Sequence, residues 1–582
     1  MLNSDLVEFV DSAQASPPDA PKLSLSAQIV WAVLIIATLY VCYFSHLGAI
    51  GFVGPDEPRY AWIARDMAES GDWVTPRLYG KPWFEKPPLY YWCAALSFKI
   101  FGVSEAAARL PSAIAALLAT LALAWLALRL YGAETARWLL LLLPSSVGMI
   151  GFSHAASTDM LFSATLTLAV VAAAIALGVA TPTSVAVAQH AAPDLSTSVP
   201  SRVLSSIFLG LFLGLAMLAK GPAALILLGG TVFFWAIFTK RWRDASRLFH
   251  PLAIAAFCLT ALPWYILCAR RNPEFFRIFI IEHNFKRYLT PEFQHIQPFW
   301  YYAAVLLIAL LPWTALLLWS VITGAIRLWR TRKVSDATLL LLCWSAFCIL
   351  FFSISKSKLP GYILPAIPVI VLLANHSRFA LTTRAAKALA LVNLGAALIF
   401  SACFAITESV APHVSQGNID FGIAAGLVFG VLSVANLLLG VGLRPASKAR
   451  SAAAACCVLP ILLTAAVNDG NLRSLFYWDP SGKTIARELQ QLRIPQDALA
   501  IRAMNRGQRY SLDFYLGREI PEWDHEHLHD GYLLSGSRFR RGTVGEGFTC
   551  EEVPFDLQKT GFFLYRIKPR LVGVAAGSGK VE

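Results

Sequence analysis

Residues 157–179 have the sequence STDMLFSATLTLAVVAAAIALGV, an apolar run with no charged residue after Asp159. A helix that crosses a bilayer needs about 20 residues of this kind. Similar runs recur along the chain, and as a result only 15% of the 582 residues are charged. A soluble protein has about 25% charged residues. The sequence therefore predicts an α-helical polytopic membrane protein.

The apolar runs number thirteen. They lie near 27–49, 106–130, 134–152, 157–179, 203–219, 222–239, 249–268, 299–323, 337–354, 360–375, 384–406, 419–441 and 450–467. The stretch 87–103 is shorter and contains Pro87, Pro88 and Lys99. A run of this length need not span a bilayer, so we interpret it as an interfacial or re-entrant helix.

The basic residues test this count, because cytoplasmic loops carry an excess of Lys and Arg. With thirteen spans and the N-terminus inside, five of the six cytoplasmic connections are clearly basic, and only 180–203 is not. Counting 87–103 as a span would move the later basic loops to the outside. The net charge of +13 is thus explained by membrane topology, and it does not indicate nucleic-acid binding.

This topology divides the chain into three parts. Residues 1–26 form an acidic cytoplasmic N-terminal tail, and residues 27–468 form a transmembrane domain whose first outer loop is 50–105. After residue 468 the sequence becomes polar and mixed in charge, with short apolar stretches, which indicates a small α/β domain over 469–582. An odd number of spans places this domain on the outer side.

The outer connections contain most of the chemically suggestive residues. Outer loops are usually depleted in Lys and Arg, so cations retained there beside apolar spans indicate a bound phosphate. Carboxylates among them suggest general-base chemistry or a hard cation. The candidates are Asp56, Glu57, Arg59, Tyr60, Glu85, Lys86, Asp159, Lys220, Arg270, Arg271, His283, Lys358 and Tyr362.

Simpler roles are open for six of these residues. Asp56 and Glu57 have the spacing of a helix N-cap pair with Pro58 at the first helical position, and Asp159 has that of a helix cap. Lys220 and Lys358 are also placed as anchors that extend toward the membrane surface. A lone histidine such as His283 is most often a surface or packing residue.

A series of motifs resembles the bacterial aminoarabinose transferases of lipid A, which belong with the protein O-mannosyltransferases in the GT-C class of glycosyltransferases. The resemblance covers residues 27–370. The motifs are DEPRY (56–60), SGDWVTP (70–76), FEKPPLYYW (84–92), ARLP (108–111), STD (157–159), LAKGP (218–222), EH (282–283), PFWYY (298–302) and KLPGY (358–362). The sequence departs from the family at Pro58, in a longer 181–203 linker and in its acidic N-terminal extension.

The resemblance implies a GT-C-like fold in the bacterial inner membrane, with the active site on the periplasmic side. It also implies an undecaprenyl-phosphate-linked sugar as donor and an outer-leaflet acceptor such as lipid A. The sugar stays open between aminoarabinose, galacturonic acid, mannose and another hexose. The acceptor stays open between lipid A, another glycolipid and a protein. The alternative class is a glycolipid flippase or transporter.

Roles for the candidate residues follow from this chemistry. We expect Asp56 to activate or orient the acceptor, with Asp159 sharing that duty. The leaving group is a lipid phosphate, for which we expect cationic ligands, namely Arg59, Lys86, Lys220 and Arg270 or Arg271. The resemblance suggests a divalent metal, zinc or magnesium, held by Glu85 and His283. The expected residues lining the substrate are Glu57, Tyr60, Tyr362 and Lys358.

Overall fold

The computed structural model describes residues 24–180, 199–286, 288, 296–311, 313–331, 334–377, 481–523, 530–538, 548–555, 557 and 561–569. Up to residue 377 these ranges are mainly helical. The α-helices are α1 (Leu25–Tyr43), α2 (Asp56–Ser70), α3 (Leu89–Phe101), α4 (Glu105–Tyr131), α5 (Ala133–Leu142), α6 (Val147–Ser153), α7 (Thr158–Ala176), α8 (Val199–Lys220), α9 (Ala223–Thr239), α10 (Trp242–Ser246), α11 (Pro251–Arg271), α12 (Tyr301–Ala309), α13 (Thr314–Thr331), α14 (Asp336–Ile354) and α15 (Ile367–Ser377).

Several of these helices are long and apolar enough to cross a membrane, as predicted. Among the described residues six meet this condition singly, and a seventh span results if the bent pair α5–α6 is counted as one. The six are Leu25–Tyr43, Glu105–Tyr131, Thr158–Ala176, Arg202–Lys220, Pro251–Arg271 and Asp336–Ile354. The predicted runs 384–406, 419–441 and 450–467 lie outside the described residues, so the count of thirteen stays a prediction.

The run predicted as one span over 134–152 is broken into α5 and α6, which meet at 63°. Pro144 lies at the break and has no backbone N–H to continue the helix. Two serines compensate, since Ser145 donates to the Leu141 carbonyl at 2.5 Å and Ser146 donates to the Leu143 carbonyl at 2.8 Å. The predicted run 299–323 is likewise divided between α12 and α13.

The predicted first outer loop, residues 50–105, folds onto the helical bundle. Its helix α2 begins after Pro55 and ends at Ser70, and the following Gly71 has a φ of +73°, the left-handed conformation that glycine favours. A short hairpin follows, with strands β1 (Arg77–Leu78) and β2 (Lys81–Pro82). The helix α3 has 13 residues and is about 20 Å long. It is therefore too short to cross the roughly 30 Å bilayer core, in agreement with its interpretation as a helix that does not span.

The described part of the C-terminal region contains both helices and strands, in agreement with the predicted α/β character. Its four-stranded sheet has the order β3-β4-β6-β5, with β3 parallel to β4 and the other pairs antiparallel. The predicted boundary at residue 469 lies outside the described residues. The elements are α16 (Gly482–Gln491), β3 (Leu499–Arg502), α17 (Arg506–Leu516), β4 (Gly531–Ser535), β5 (Phe548–Val553) and β6 (Phe563–Pro569).

This region packs against the loop 50–105 and the start of α4. Ser511 on α17 donates to the Phe52 carbonyl at 3.1 Å, and Tyr515 donates to the Glu105 carboxylate at 2.8 Å. Lys483 forms an ion pair with Glu105 at 2.6 Å. The C-terminal region thus lies at the end of the bundle where α4 begins.

Candidate functional site

A buried arginine joins two of the predicted site carboxylates. Arg59 on α2 forms ion pairs with Asp56, one turn earlier, and with Glu85, whose Oε2 lies 3.0 Å from Nη1. The Arg59 side chain is only 3% exposed, whereas that of Asp56 is 49% exposed and that of Glu85 12%. Burial alone would lower the pKa of Arg59, but the carboxylates of Glu85 and Asp56 raise it above the usual range. Arg59 is therefore a fixed cation beside an accessible carboxylate.

Three aromatic rings surround the Arg59 guanidinium. Its Cζ atom lies 5.4 Å from the ring centre of Tyr60, 5.3 Å from that of Trp83 and 5.8 Å from that of Tyr510. Tyr60 was predicted as a site residue, and it lies here against Tyr90 and Tyr91. Tyr510 comes from the C-terminal region and was not predicted, because nothing in its local sequence connects it to residue 59.

A second carboxylate–cation pair lies at the start of α7. Asp159 contacts Lys220, the last residue of α8, and the Lys220 ammonium lies 4.4 Å from the ring centre of Tyr362. A Cβ at Gly361 would lie 2.6 Å from Oδ2 of Asp159, so a larger residue there would have to displace this carboxylate. The structure thus brings together three residues predicted from separate loops.

The structure also tests the simpler roles of two carboxylates. The N-cap of α7 is Ser157, whose side chain accepts from the Asp159 amide at 3.2 Å, so Asp159 is not the cap. The helix α2 begins at Asp56, with Pro55 as N-cap and no side-chain cap hydrogen bond. Pro58 therefore occupies the third helical position. Capping explains neither Asp56 nor Asp159.

Glu57 was predicted to line the substrate, but both of its oxygens are held by protein donors. Arg109 donates to Oε1 from Nε at 3.0 Å and to Oε2 from Nη2 at 2.8 Å. The backbone amides of Val53 and Ala156 donate to the same carboxylate at 2.8 and 2.7 Å. Glu57 is also buried, so we assign it a structural role.

The other predicted cations differ in their surroundings. Lys358 is buried and donates to the carbonyls of Gln297 and Ser355 at 3.0 and 2.7 Å, so it fixes backbone rather than extending to the membrane surface. Lys86 is half-buried and follows Glu85 directly. Arg270 is exposed at the end of α11.

The neighbouring Arg271 forms an ion pair with Asp72 of the first loop at 3.1 Å. Arg270 forms no ion pair among the described residues, and it is the one of the two arginines that we retain as a candidate phosphate ligand.

The predicted metal ligands Glu85 and His283 lie on separate segments of the chain. Glu85 faces the Arg59 guanidinium, which is an unfavourable neighbour for a divalent cation. His283 lies in the π-helical segment Arg277–Lys286. Within the part of the chain that the structure describes, no group of three or more His, Cys, Asp or Glu side chains is arranged to hold a metal.

The side chain of Tyr91 is buried beside the residues around Arg59, and its hydroxyl makes no hydrogen bond to a described residue. Tyr91 is 0% exposed. Its ring packs against Tyr60, and the charges of Glu85, Arg59 and Asp56 act on its hydroxyl. Buried hydroxyl groups in proteins are nearly always hydrogen-bonded, so an exception beside a candidate site is informative.

Comparison with known proteins agrees with this fold and these motifs. The sequence profile of the dolichyl-phosphate-mannose-protein mannosyltransferase family matches residues 29–279. The crystal structure of ArnT from Cupriavidus metallidurans bound to undecaprenyl phosphate superimposes with a TM-score of 0.73 at 23% identity. The likeness covers 92% of this chain and 97% of ArnT. The predicted GT-C-like helical membrane fold is thereby confirmed.

Two sequence relatives carry the same name. The undecaprenyl phosphate-alpha-4-amino-4-deoxy-L-arabinose arabinosyl transferase of Aeromonas salmonicida is 32% identical over 432 residues, which cover 73% of this chain and 74% of the relative. The Erwinia tasmaniensis protein of that name is 35% identical over 368 residues. That match covers 62% of this chain and 61% of the relative, less than two thirds of its length.

The fold and the sequence matches define a multi-pass membrane protein of the GT-C class. Within this class, the chain belongs to the undecaprenyl phosphate-aminoarabinose arabinosyl transferase family. The resemblance predicted from the motifs is confirmed.

Proposed function

We propose that this protein is an integral membrane glycosyltransferase that transfers a sugar from an undecaprenyl-phosphate-linked donor to an outer-leaflet acceptor. The relatives named above are arabinosyl transferases of undecaprenyl phosphate-aminoarabinose, and the related crystal structure holds undecaprenyl phosphate. The observation that carries the proposal is Arg59, a buried cation between Asp56 and Glu85. We assign aminoarabinose as the sugar and lipid A as the acceptor.

The donor phosphate binds to Arg59 and Lys86, with Lys220 and Arg270 as further ligands. Arg59 already has two carboxylate partners, of which Asp56 is the more exposed. The incoming phosphate therefore replaces Asp56 beside the guanidinium and releases that carboxylate toward the acceptor. Cations held in place before the reaction stabilise charge on the leaving oxygen without having to reorganise.

The bond between the anomeric carbon and the phosphate oxygen breaks, and an acceptor oxygen bonds to that carbon. Undecaprenyl phosphate leaves with the electron pair. If the acceptor is a hydroxyl group, Asp56 takes its proton. If the acceptor is a phosphate, it is already ionised, and Asp56 orients it or stabilises positive charge at the anomeric carbon. Asp159, paired with Lys220, assists from the start of α7.

We also propose that the site faces the periplasm from the inner membrane, in contact with membrane lipids. Arg241 belongs to the basic connection 240–248 and donates to the Leu177 carbonyl just beyond the C-terminal end of α7. Asp159 lies at the N-terminal end of the same helix. Because basic connections are cytoplasmic, the opposite end of α7, with Asp159, is directed outward.

Reconstitution of the full-length protein in detergent tests this function. We expect undecaprenyl-phosphate-aminoarabinose and lipid A to yield aminoarabinose-modified lipid A, detected by mass spectrometry. Product formation in detergent separates a transferase from a flippase, since flipping requires a sealed membrane. Lack of product with lipid A, together with product on a protein acceptor, would overturn the acceptor assignment.

The substitution Asp56→Asn should lower turnover by about 100- to 10,000-fold, the usual contribution of a general acid–base group. The matched control is Asp66→Asn, which changes a half-buried aspartate on the same helix. Wild-type turnover in the Asp56→Asn variant would remove Asp56 from the mechanism.

A further inference from the structure

The C-terminal region contributes an aromatic ring to the candidate site. Tyr510 lies on α17, and its ring centre is 5.8 Å from Cζ of Arg59 and 6.3 Å from the ring centre of Tyr79 in the first-loop hairpin. The other two rings around Arg59, Tyr60 and Trp83, come from the first loop itself. The surroundings of Arg59 are thus completed by a residue about 450 positions further along the chain.

The helix that carries Tyr510 is held firmly in place. Of the five residues that follow Tyr510, four bond to the first loop or to α4. Ser511 donates to the Phe52 carbonyl, Asp513 accepts from Tyr79, the Phe514 carbonyl accepts from Arg65, and Tyr515 donates to Glu105. The position of the Tyr510 ring is therefore determined by contacts on the neighbouring turn.

The first turn of α17 also approaches the backbone directly before Asp56. A Cβ at Gly507 would lie 2.9 Å from the carbonyl carbon of Gly54. Real Cβ atoms hardly ever come this close to backbone, so a larger residue at 507 would push α17 away from the loop. The glycine lets the C-terminal region contact the segment that carries Asp56 and Arg59.

We propose that Tyr510 is a positioning residue for donor binding, through which the C-terminal region completes the phosphate-binding site around Arg59. This inference rests on the proposed function. The ring holds the guanidinium by cation–π attraction, which is strongest where water is excluded. Glu85 and Asp56 hold the nitrogens of the same group, so its orientation is set before the donor phosphate arrives.

The hydroxyl of Tyr510 has a different partner. It accepts from Nε of the exposed Arg506 at 3.3 Å, and the Arg506 guanidinium lies 5.5 Å from the ring centre. The ring and not the hydroxyl therefore faces Arg59. Two substitutions of Tyr510 therefore separate the effect of the ring from that of the hydroxyl, because phenylalanine keeps the ring and leucine removes it.

The test compares Tyr510→Leu, Tyr510→Phe and the matched control Tyr532→Leu in the full-length protein. Tyr532 also has an arginine over its ring, Arg566 at 4.5 Å, but it lies on β4. We expect Tyr510→Leu to raise the donor KM and the Kd for undecaprenyl phosphate about tenfold, while the acceptor KM is unchanged. Tyr510→Phe should restore most of the affinity, and Tyr532→Leu should match the wild type.

Unchanged donor KM and Kd in Tyr510→Leu would overturn the inference, as would an equal loss in Tyr532→Leu. If Tyr510→Leu does not fold, Gly507→Ala provides a second route, since displacement of α17 should weaken undecaprenyl phosphate binding in the same way. Wild-type affinity for undecaprenyl phosphate in Gly507→Ala would then contradict the positioning role of Tyr510. The Kd is measured without turnover, so a failure of the proposed transfer reaction is distinguishable from a failure of this inference.

Discussion

The backbone amide of Ala156 donates a hydrogen bond of 2.7 Å to the Glu57 carboxylate. Glu57 directly follows Asp56 at the start of α2, and Ala156 lies three residues before Asp159 at the start of α7. This single contact joins the two chain segments that carry the proposed catalytic carboxylates. The relative placement of Asp56 and Asp159 therefore depends on a residue that takes no part in the chemistry.

We expect Glu57→Gln to destabilise the protein by about 3–5 kcal/mol, because it leaves the buried Arg109 without its counter-ion. Thermal unfolding in detergent and the yield of folded protein measure this effect. Asp56→Asn serves as the comparison, since Asp56 is half exposed and should lose activity with little loss of stability. A Glu57→Gln variant that unfolds at the wild-type temperature would contradict the structural role.

The Asp159–Lys220 pair predicts strong coupling between two substitutions. Asp159→Asn and Lys220→Met should each lower turnover by roughly 100-fold, because each leaves a partly buried charge without its partner. The double variant should be little worse than either single one, since both act on the same pair. A double-mutant cycle on kcat/KM measures the coupling. Losses that simply multiply would show that the two residues act independently.

Much of the site was predictable because its residues lie at the ends of apolar runs. Asp159 lies at the start of one apolar run and Lys220 at the end of another. Packing of these helices into a bundle can therefore place both residues at the same end of it. The contact between Arg59 and Asp56 also follows from their i, i+3 spacing on one helix. The break at Pro144 could also have been predicted from the sequence, since proline interrupts a helix.

Other features depend on contacts between distant segments, which no local pattern reveals. Glu57 and Asp56 are adjacent acidic residues, yet one is enclosed by Arg109 and the other is accessible. The difference arises because successive residues of a helix point in different directions, and the sequence does not say which direction meets Arg109. Tyr510 is a similar case, because its role depends on how the C-terminal region docks.

Tyr91→Phe tests whether the buried hydroxyl, which bonds to no described residue, donates a hydrogen bond to the substrate. The substitution removes a polar atom that bonds to no described residue, so we expect stability to be unchanged or raised by about 1 kcal/mol. Turnover should fall about tenfold if the hydroxyl donates to the bound donor. Thermal unfolding and steady-state kinetics measure the two effects. A clear loss of stability would indicate a structural role for the hydroxyl, and wild-type kinetics would exclude a substrate contact.

Burial of the Asp513 carboxyl, which accepts a hydrogen bond from Tyr79 of the first loop, should make docking of the C-terminal region depend on pH. Burial raises the pKa of the Asp513 carboxyl to about 6, although the Tyr79 hydroxyl and the Ile520 amide donate to it. The folded state therefore binds the proton more tightly than the unfolded chain, whose aspartate has a pKa near 3.9. Stability from this group is complete below about pH 4 and is lost as the pH rises through 6.

We expect the wild-type protein to lose up to about 3 kcal/mol of stability in the C-terminal region between pH 4 and pH 7. In Asp513→Asn this loss should disappear, because the amide stays neutral and still accepts from Ile520. Protease susceptibility of the C-terminal region at a series of pH values measures the effect, with Asp530→Asn, at an exposed aspartate paired with Arg566, as the matched control. Asp530→Asn should retain the wild-type pH dependence. An equally steep dependence in Asp513→Asn would show that another group is responsible.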